Sequence, residues 1–380
     1  MGFLSYVIAI GLIGVGLLAM VTPQNRPVVV GALLLEGPMV IVSSFACMEC
    51  HTDGTAYAHQ DVNGVLWARE KIVLLRDLYR SSSVLNRDTT YRTAARHRHQ
   101  QTADSRPKEF IRFRSYGDES KPPLVIVPGL DGVTAFFSDV LPELTLNFHV
   151  VVFNLPLVAP PLSAGASEAE EYSFAFIARQ LAAVMNEARN PPEHAGIKAE
   201  ASILGESFGG MVAQRLALDF PEKVDRLVLL SSLAKPELNS AVKFKFHYVL
   251  PVLETIGLFF PFVAQSMFAV AHLPEVVESH EPTWVKHLFV KEASWADHWS
   301  VVARCKIAYA FDTTDELEKI KVPALVMYGE DDTFTTAGTK QLLGGIKSAR
   351  AKGLPGGHLC HISYPKAFAR EVADFIISSS

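Results

Sequence analysis

Short apolar runs that favour strands alternate with longer runs of helical spacing from residue 110 to the end of the chain. The spacing predicts strands over 109–116, 124–127, 150–153, 201–204, 227–230 and 324–327. It predicts helices over 133–144, 174–188, 211–218 and 367–377. Buried strands that alternate with helices form a mainly parallel sheet covered on both faces. The alternation therefore predicts an α/β fold.

Ligands of such sheets bind beyond the carboxyl ends of the strands, so the residues that follow each strand are site candidates. The segment GESFGG, at 205–210, lies between a predicted strand and a predicted helix. It contains the pattern G-x-S-x-G, whose turn is so tight that the residues two before and two after the serine must be small. We interpret Ser207 as a nucleophile held in a strained conformation. The alternative is a glycine-rich helix start that binds an anion.

A serine hydroxyl needs a base to take its proton, and a carboxylate orients that base. On this type of sheet the acid and then the histidine follow the serine in chain order. Asp331 and Asp332 come directly after the predicted strand 324–327, and His358 follows two glycines near the last helix. His361 is a competitor, but it lacks the glycines that let a loop deliver a side chain into a crowded site. The sequence thus provides a serine, an acid and a histidine in the required order.

These motifs resemble the α/β-hydrolase family over residues 110–380. In that family the acid commonly falls in a G-x-x-D segment, which here ends at Asp332 and implies that residue rather than Asp331. The family's histidine typically follows a glycine and precedes a helix-starting proline by seven residues, which matches His358 and Pro365. The resemblance implies a serine hydrolase of the lipase and esterase type, with a helical cap inserted in the sheet domain.

Acyl transfer also requires N–H donors for the oxyanion, and such donors stabilise the transition state by several kcal/mol. One donor should be Phe208, directly after the nucleophile. The resemblance places the other in the loop PGLDG, at 128–132, where Leu130 is the implied donor. The family's usual His-Gly start of this loop is Pro-Gly here. Asp131 is alternatively interpreted as a cap of the loop.

The residue type at position 207 limits which of the fold's known reactions the chain can catalyse. A serine in place of an aspartate excludes the dehalogenase and epoxide-hydrolase reactions that the same fold supports. The pair PGLDG and GESFGG is similar to the hydrolase module of phytyl ester synthases, which transfer fatty acyl groups to lipid alcohols. The chain is also similar to maspardin-like proteins, some of which act as binding proteins. Hydrolase, acyltransferase and non-catalytic binding protein are therefore the three hypotheses.

About ninety residues separate the predicted strands 227–230 and 324–327, where a direct crossover needs only a dozen or so. This insertion, over about 235–315, predicts a cap. Its aromatic residues include Phe244, Phe246, Phe259, Phe260, Phe262, Phe268, Trp284, Phe289, Trp295 and Trp299. An aromatic cap over the serine would suit a long acyl chain. The alternative is that these side chains only pack the cap onto the sheet.

The first 47 residues contain only two charges, Arg26 and Glu36, whereas the rest of the chain has a charge content close to that of a soluble domain. Residues 2–21 carry no charge and would span ~30 Å as a helix, which is the thickness of the bilayer core. We predict a membrane anchor, as one helix or a hairpin, with a cleaved signal peptide as the rival. The predicted organisation is an anchor over 1–47, a basic, partly helical connector over 48–108 and an α/β-hydrolase domain over 109–380.

Cys47, Cys50 and His51 match the C-x-x-C-H pattern of covalent haem attachment. The pattern is short, and the following segment has no methionine to serve as a second haem ligand, so cysteines at a membrane boundary are the favoured interpretation. No nucleic-acid motif accompanies the basic connector. The sequence predicts a membrane-anchored serine hydrolase that cleaves carboxylic esters of lipids, without a metal or cofactor, on a membrane whose organelle is not specified.

Overall fold

The computed structural model describes residues 113–158, 172–189 and 200–377. The predicted anchor, the connector and the cysteine pair with its histidine lie outside the described residues. Among the helices in these ranges, none is both long enough and apolar enough to cross a membrane.

Seven strands form one sheet in the described part of the chain. The strands are β1 (Phe113–Tyr116), β2 (Pro123–Val127), β3 (His149–Phe153), β4 (Ala201–Glu206), β5 (Val224–Leu230), β6 (Ala324–Gly329) and β7 (Ala349–Leu354). Their order across the sheet is β1-β3-β2-β4-β5-β6-β7. Only β1 runs antiparallel to its neighbour, and the other pairs are parallel. The prediction of a mainly parallel sheet is confirmed.

Alternate residues of each central strand enter two separate apolar cores, because successive side chains of a strand point to opposite faces. In β2, Leu124 and Ile126 belong to one core, and Val125 and Val127 belong to the other. Helices cover both faces of the sheet, as a parallel sheet requires. The covering helices are α1 (Leu141–Leu144), α2 (Phe174–Arg189), α3 (Phe208–Asp219), α9 (Thr336–Gly345), α10 (Cys360–Ser363) and α11 (Pro365–Ile377).

Two sequence-based predictions of secondary structure differ from the structure. The helix predicted over 133–144 is instead a 3₁₀ turn over Thr134–Phe137 followed by the four-residue α1. Pro142 explains the interruption, since proline lacks the N–H that a continuous helix would use and its ring clashes with the preceding turn. Strand β7 was not predicted, because Arg350 and Lys352 interrupt its apolar residues and it lies at the edge of the sheet, where most of its side chains are partly or fully exposed.

The insertion between β5 and β6 is helical and lies over the carboxyl ends of the strands. Its helices are α4 (Ser240–Phe244), continued by a π-helical turn, α5 (Leu250–Gly257), α6 (Pro261–Val276), α7 (Thr283–Ser294) and α8 (His298–Tyr309). A third apolar core joins this cap to the sheet domain through Phe136, Phe289, Leu359 and Ile362. The cap is therefore packed directly beside the loops that follow β2 and β7.

Candidate active site

Ser207 lies in the turn between β4 and α3 with a backbone conformation that L-residues rarely adopt. Its φ is 52° and its ψ is −113°. The Ser207 N–H donates to the Leu230 carbonyl at 2.8 Å, and the Ser232 hydroxyl donates to the Ser207 carbonyl at 2.9 Å. Such a conformation persists only where the surrounding structure enforces it. Hydrogen bonds with Leu230, the last residue of β5, and with Ser232 just beyond it therefore hold the strained serine at the carboxyl end of the sheet.

The glycines around Ser207 are required by close backbone contacts. A Cβ on Gly205 would lie 2.4 Å from the Gly209 carbonyl oxygen, and a Cβ on Gly209 would lie 2.1 Å from the Val127 carbonyl oxygen. A Cβ on Gly210 would meet the Ser232 hydroxyl at 2.3 Å. The small residues in the G-x-S-x-G pattern therefore allow the start of α3 to pack against β2 and β4.

His358 and Asp332 form a buried pair beyond the ends of β6 and β7. His358 Nδ1 lies 3.0 Å from Asp332 Oδ2. Asp332 Oδ1 accepts the N–H groups of Phe334 and Thr335 at 2.9 and 3.0 Å, and its Oδ2 also accepts the Thr335 hydroxyl. The carboxylate is thus fixed by donors on both oxygens, and it in turn fixes the orientation of the imidazole.

The electrostatics of this pair favour the ionised acid and a basic histidine. Burial alone would raise the pKa of Asp332, but His358 and the Thr335 donors lower it to about 2. Burial alone would lower the pKa of His358, but the carboxylates of Asp332, Glu206 and Glu281 raise it above its usual value. His358 is therefore placed where a positive charge on its ring is stabilised.

The two competing side chains lie elsewhere. Asp331 is half exposed, and its carboxylate lies 3.2 Å from His280 Nε2. His361 is fully buried in an apolar core with its ring stacked on Phe137 at 4.8 Å, and burial lowers its pKa to about 3. Neither residue lines the cleft that holds Ser207.

A cleft of about 320 Å³, including its open mouth, brings the predicted residues together. Ser207, His358 and Leu130 all line it, and Phe208 follows Ser207 as the first residue of α3. Its other lining residues are Gly129, Asp131, Gly132, Val133, Phe136, Glu206, His272, Val276, Phe289 and Leu359. Residues from the loops after β2, β4 and β7 therefore meet under the cap.

Most of the cap aromatics do not lie over the serine. Of the predicted set, Phe289 alone is among the residues that line the described cleft. Phe259 and Phe260, in the turn between α5 and α6, are 74% and 55% exposed. The expectation of an aromatic roof is therefore wrong for these residues, because the turn that carries them directs their side chains to solvent.

A match over most of the chain identifies the family. Residues 124–371 match the sequence model of the alpha/beta hydrolase family. The chain belongs to the α/β-hydrolase family. As a member of this family it is a hydrolase, and Ser207 lies in a turn from a strand to a helix, which is the context of the family's G-x-S-x-G motif.

Relatives of this α/β-hydrolase carry the names of different hydrolytic activities. RutD of Variovorax paradoxus, which is named as a carbamate hydrolase, is 26% identical over 277 residues that cover 70% of this chain and 96% of that protein. The proline iminopeptidase of Lactobacillus helveticus is 25% identical over 275 residues that cover 66% of this chain and 88% of that protein. A thermophilic esterase from Thermogutta terrifontis has a similar structure, with a TM-score of 0.58 and 20% identity over 73% of this chain and 96% of that one. The comparisons support the family and fold, and they leave the substrate open.

Two buried charged residues at the site were not found from the sequence. The Glu206 carboxylate accepts the Gly129 N–H at 2.7 Å, and Arg304 of helix α8 donates to the Leu130 carbonyl at 3.0 Å. Glu206 had a sequence signal in its position beside the nucleophile, whereas Arg304 had none. Asp131 is not a loop cap, since its Oδ1 is buried without a partner among the described residues, and burial raises its pKa to about 6.

Proposed function

We propose that this α/β-hydrolase is a serine esterase that cleaves carboxylic esters through an acyl-enzyme on Ser207. The observation that carries the proposal is the shared cleft, which is lined by both the strained Ser207 and the Asp332-bound His358. Buried ion pairs also occur in purely structural roles. A strained serine in the same cleft as such a pair supports a role in nucleophilic catalysis.

In the proposed reaction, His358 Nε2 takes the hydroxyl proton of Ser207 as Oγ attacks the ester carbonyl carbon. The N–H groups of Leu130 and Phe208 would bind the resulting oxyanion. Collapse of this intermediate breaks the bond to the alcohol oxygen, which receives the proton from His358. Water then attacks the acyl-enzyme with His358 again as base, releasing the acid and restoring Ser207.

The substrate class follows from the lining of the cleft. Leu130, Val133, Phe136, Val276 and Phe289 provide the apolar part of the lining, and this part suits an uncharged acyl group. The volume of about 320 Å³ includes space open to solvent, so the enclosed part of the cleft is smaller, and we expect short acyl groups to turn over faster than long ones. A lipid ester and a membrane location remain part of the proposal on the strength of the apolar residues 2–21.

Fluorophosphonate labelling of the full chain tests the proposal. We expect wild-type protein to be labelled and to hydrolyse nitrophenyl esters, and Ser207→Ala to lose both properties. Ser279→Ala, which changes an exposed cap serine, is the matched control and should retain both. Labelling and turnover that survive in Ser207→Ala would exclude Ser207 as the nucleophile. Product analysis in the presence of a lipid alcohol separates hydrolysis from acyl transfer, because only transfer yields a new ester.

A further inference from the structure

We propose that Glu206 and Arg304 are positioning residues that hold the Gly129–Leu130 segment so that the Leu130 N–H is directed to the oxyanion of the reaction. This inference rests on the proposed function of Ser207. It adds two residues that act through the loop after β2. In the described structure, neither residue forms a hydrogen bond with Ser207, Asp332 or His358.

Glu206 supports the loop from the sheet side. It is the last residue of β4, beside β2, and its side chain is buried. Its Oε2 accepts the Gly129 N–H at 2.7 Å, and a Cβ on Gly129 would lie 2.7 and 2.8 Å from the two carboxylate oxygens. The carboxylate therefore contacts the Gly129 backbone directly, and this contact requires glycine at 129.

Arg304 supports the same loop from the cap. Its guanidinium is buried and donates to the carbonyls of Leu130 and Pro156 at 3.0 and 3.3 Å, and to the Tyr172 hydroxyl at 3.3 Å. These acceptors belong to three different segments, and the planar guanidinium can reach all three because its five N–H donors are fixed in a fork. Helix α8 of the cap is thereby tied to the segment that carries Leu130.

The hydrogen bonds of the loop leave the Leu130 N–H for a ligand. The Gly129 N–H is bound by Glu206, the Leu130 carbonyl is bound by Arg304, and the Gly129 carbonyl accepts the Gly132 N–H at 2.9 Å in a tight turn. Among the described residues, the Leu130 N–H has no such partner, and Leu130 lines the cleft with Ser207. A donor held in place before the reaction stabilises the oxyanion without reorganisation.

The charge of Glu206 is not required for this role. Burial raises the pKa of Glu206 to about 7, and a neutral side-chain carbonyl accepts an N–H as a carboxylate does. Glu206→Gln should therefore preserve the loop, whereas Glu206→Ala removes the acceptor. Arg304→Lys retains the charge but cannot reach three acceptors, so its kcat should lie between that of wild type and that of Arg304→Ala.

The test compares kcat and KM for a nitrophenyl ester with inhibition by a trifluoromethyl ketone, whose adduct with serine carries an oxyanion. Loss of one oxyanion donor lowers kcat on the order of 10²-fold, and we expect Glu206→Ala and Arg304→Ala to approach this loss with KM within about twofold of wild type. The inhibition constant should rise by the same factor as kcat/KM falls. Binding of an uncharged ether analogue of the ester should not change.

Controls separate this inference from the function on which it rests. Glu222→Ala and Arg370→Ala alter exposed charges that do not line the cleft and should leave every constant unchanged. If Ser207→Ala retains turnover, the proposed function fails and this inference fails with it. If Ser207→Ala is inactive while Glu206→Ala keeps full kcat, the positioning role alone is overturned. If the alanine variants do not fold, the kcat values of Glu206→Gln and Arg304→Lys test the positioning role. A lower kcat in Glu206→Gln together with an unchanged kcat in Arg304→Lys would contradict the proposal.

Discussion

His358 can accept the serine proton only when its Nε2 is unprotonated, so its raised pKa controls the acid side of the pH profile. Because neighbouring carboxylates stabilise the imidazolium, we expect kcat/KM to rise with pH with a midpoint above 6.5. Asp332→Asn should move this midpoint to lower pH and lower kcat by about 10³–10⁴-fold, since the imidazole loses both its stabilising charge and its orientation. Initial rates from pH 5 upward measure both effects. An unchanged midpoint in Asp332→Asn would contradict the assignment of the pair.

Glu206 should make the stability of the protein depend on pH. Burial raises its pKa from 4.5 to about 7, so the folded protein binds a proton that the unfolded chain has already released between these values. The stabilisation is fully present below pH 4.5 and is lost as pH rises through about 7, by about 1.4 kcal/mol per pH unit. Glu206→Gln removes this dependence. The difference between its free energy of unfolding and that of wild type, measured in urea, should therefore grow from pH 4.5 to about 7. Parallel pH profiles of the two proteins would exclude a shifted Glu206.

The sequence predicted the residues that motif and chain order identify, and it did not predict their supports. Ser207 is identified by its glycines, Asp332 by its position after a predicted strand, and His358 by the glycines before it and the last helix after it. Glu206 contacts a residue 77 positions away, and Arg304 contacts one 174 positions away. No local pattern encodes such distant pairs, so only the folded structure shows them.

Among the elements, the turn between β4 and α3 should tolerate the least change. A Cβ on Gly209 would lie 2.1 Å from the Val127 carbonyl oxygen and 2.6 Å from the Pro128 carbonyl oxygen, and backbone atoms cannot move aside cheaply. Gly209→Ala should lower the free energy of unfolding by roughly 3 kcal/mol or more and abolish activity.

Gly344 in helix α9 is the matched control for this substitution. No atom lies within 4 Å of a Cβ at this position, and alanine is a better helix former than glycine. Gly344→Ala should raise the free energy of unfolding by up to about 1 kcal/mol and leave activity intact. Thermal unfolding compares the two variants, and equal effects would argue against the packing described for the turn.

Elements with strong apolar periodicity were predicted well, and those that depend on context were not. The central strands β2 to β6 are apolar runs that the folded chain must bury, and all five were predicted. Strand β7 carries Arg350 and Lys352 and is recognisable only from its pairing with β6. The helix predicted over 133–144 had the right periodicity, but Pro142 interrupts it.

At the scale of the whole molecule, the proposal joins an esterase domain to a membrane anchor at the start of the chain. Replacing Leu12 and Leu17 together with Arg places two charges in the apolar residues 2–21, and each charge costs several kcal/mol in the bilayer core. We expect this variant to lose flotation with lipid vesicles while its turnover of a soluble ester is unchanged. Replacing the same leucines with Phe is the control and should preserve flotation. Undiminished flotation of the arginine variant would contradict the anchor.

The central claim is that Ser207 carries the acyl group during turnover. Rapid quenching of the full chain with a nitrophenyl ester, followed by intact mass and peptide mapping, measures this directly. We predict one acyl group per protein, on the peptide that contains Ser207, and none in Ser207→Ala. Turnover without any covalent adduct, or an adduct that maps to another residue, would contradict the account.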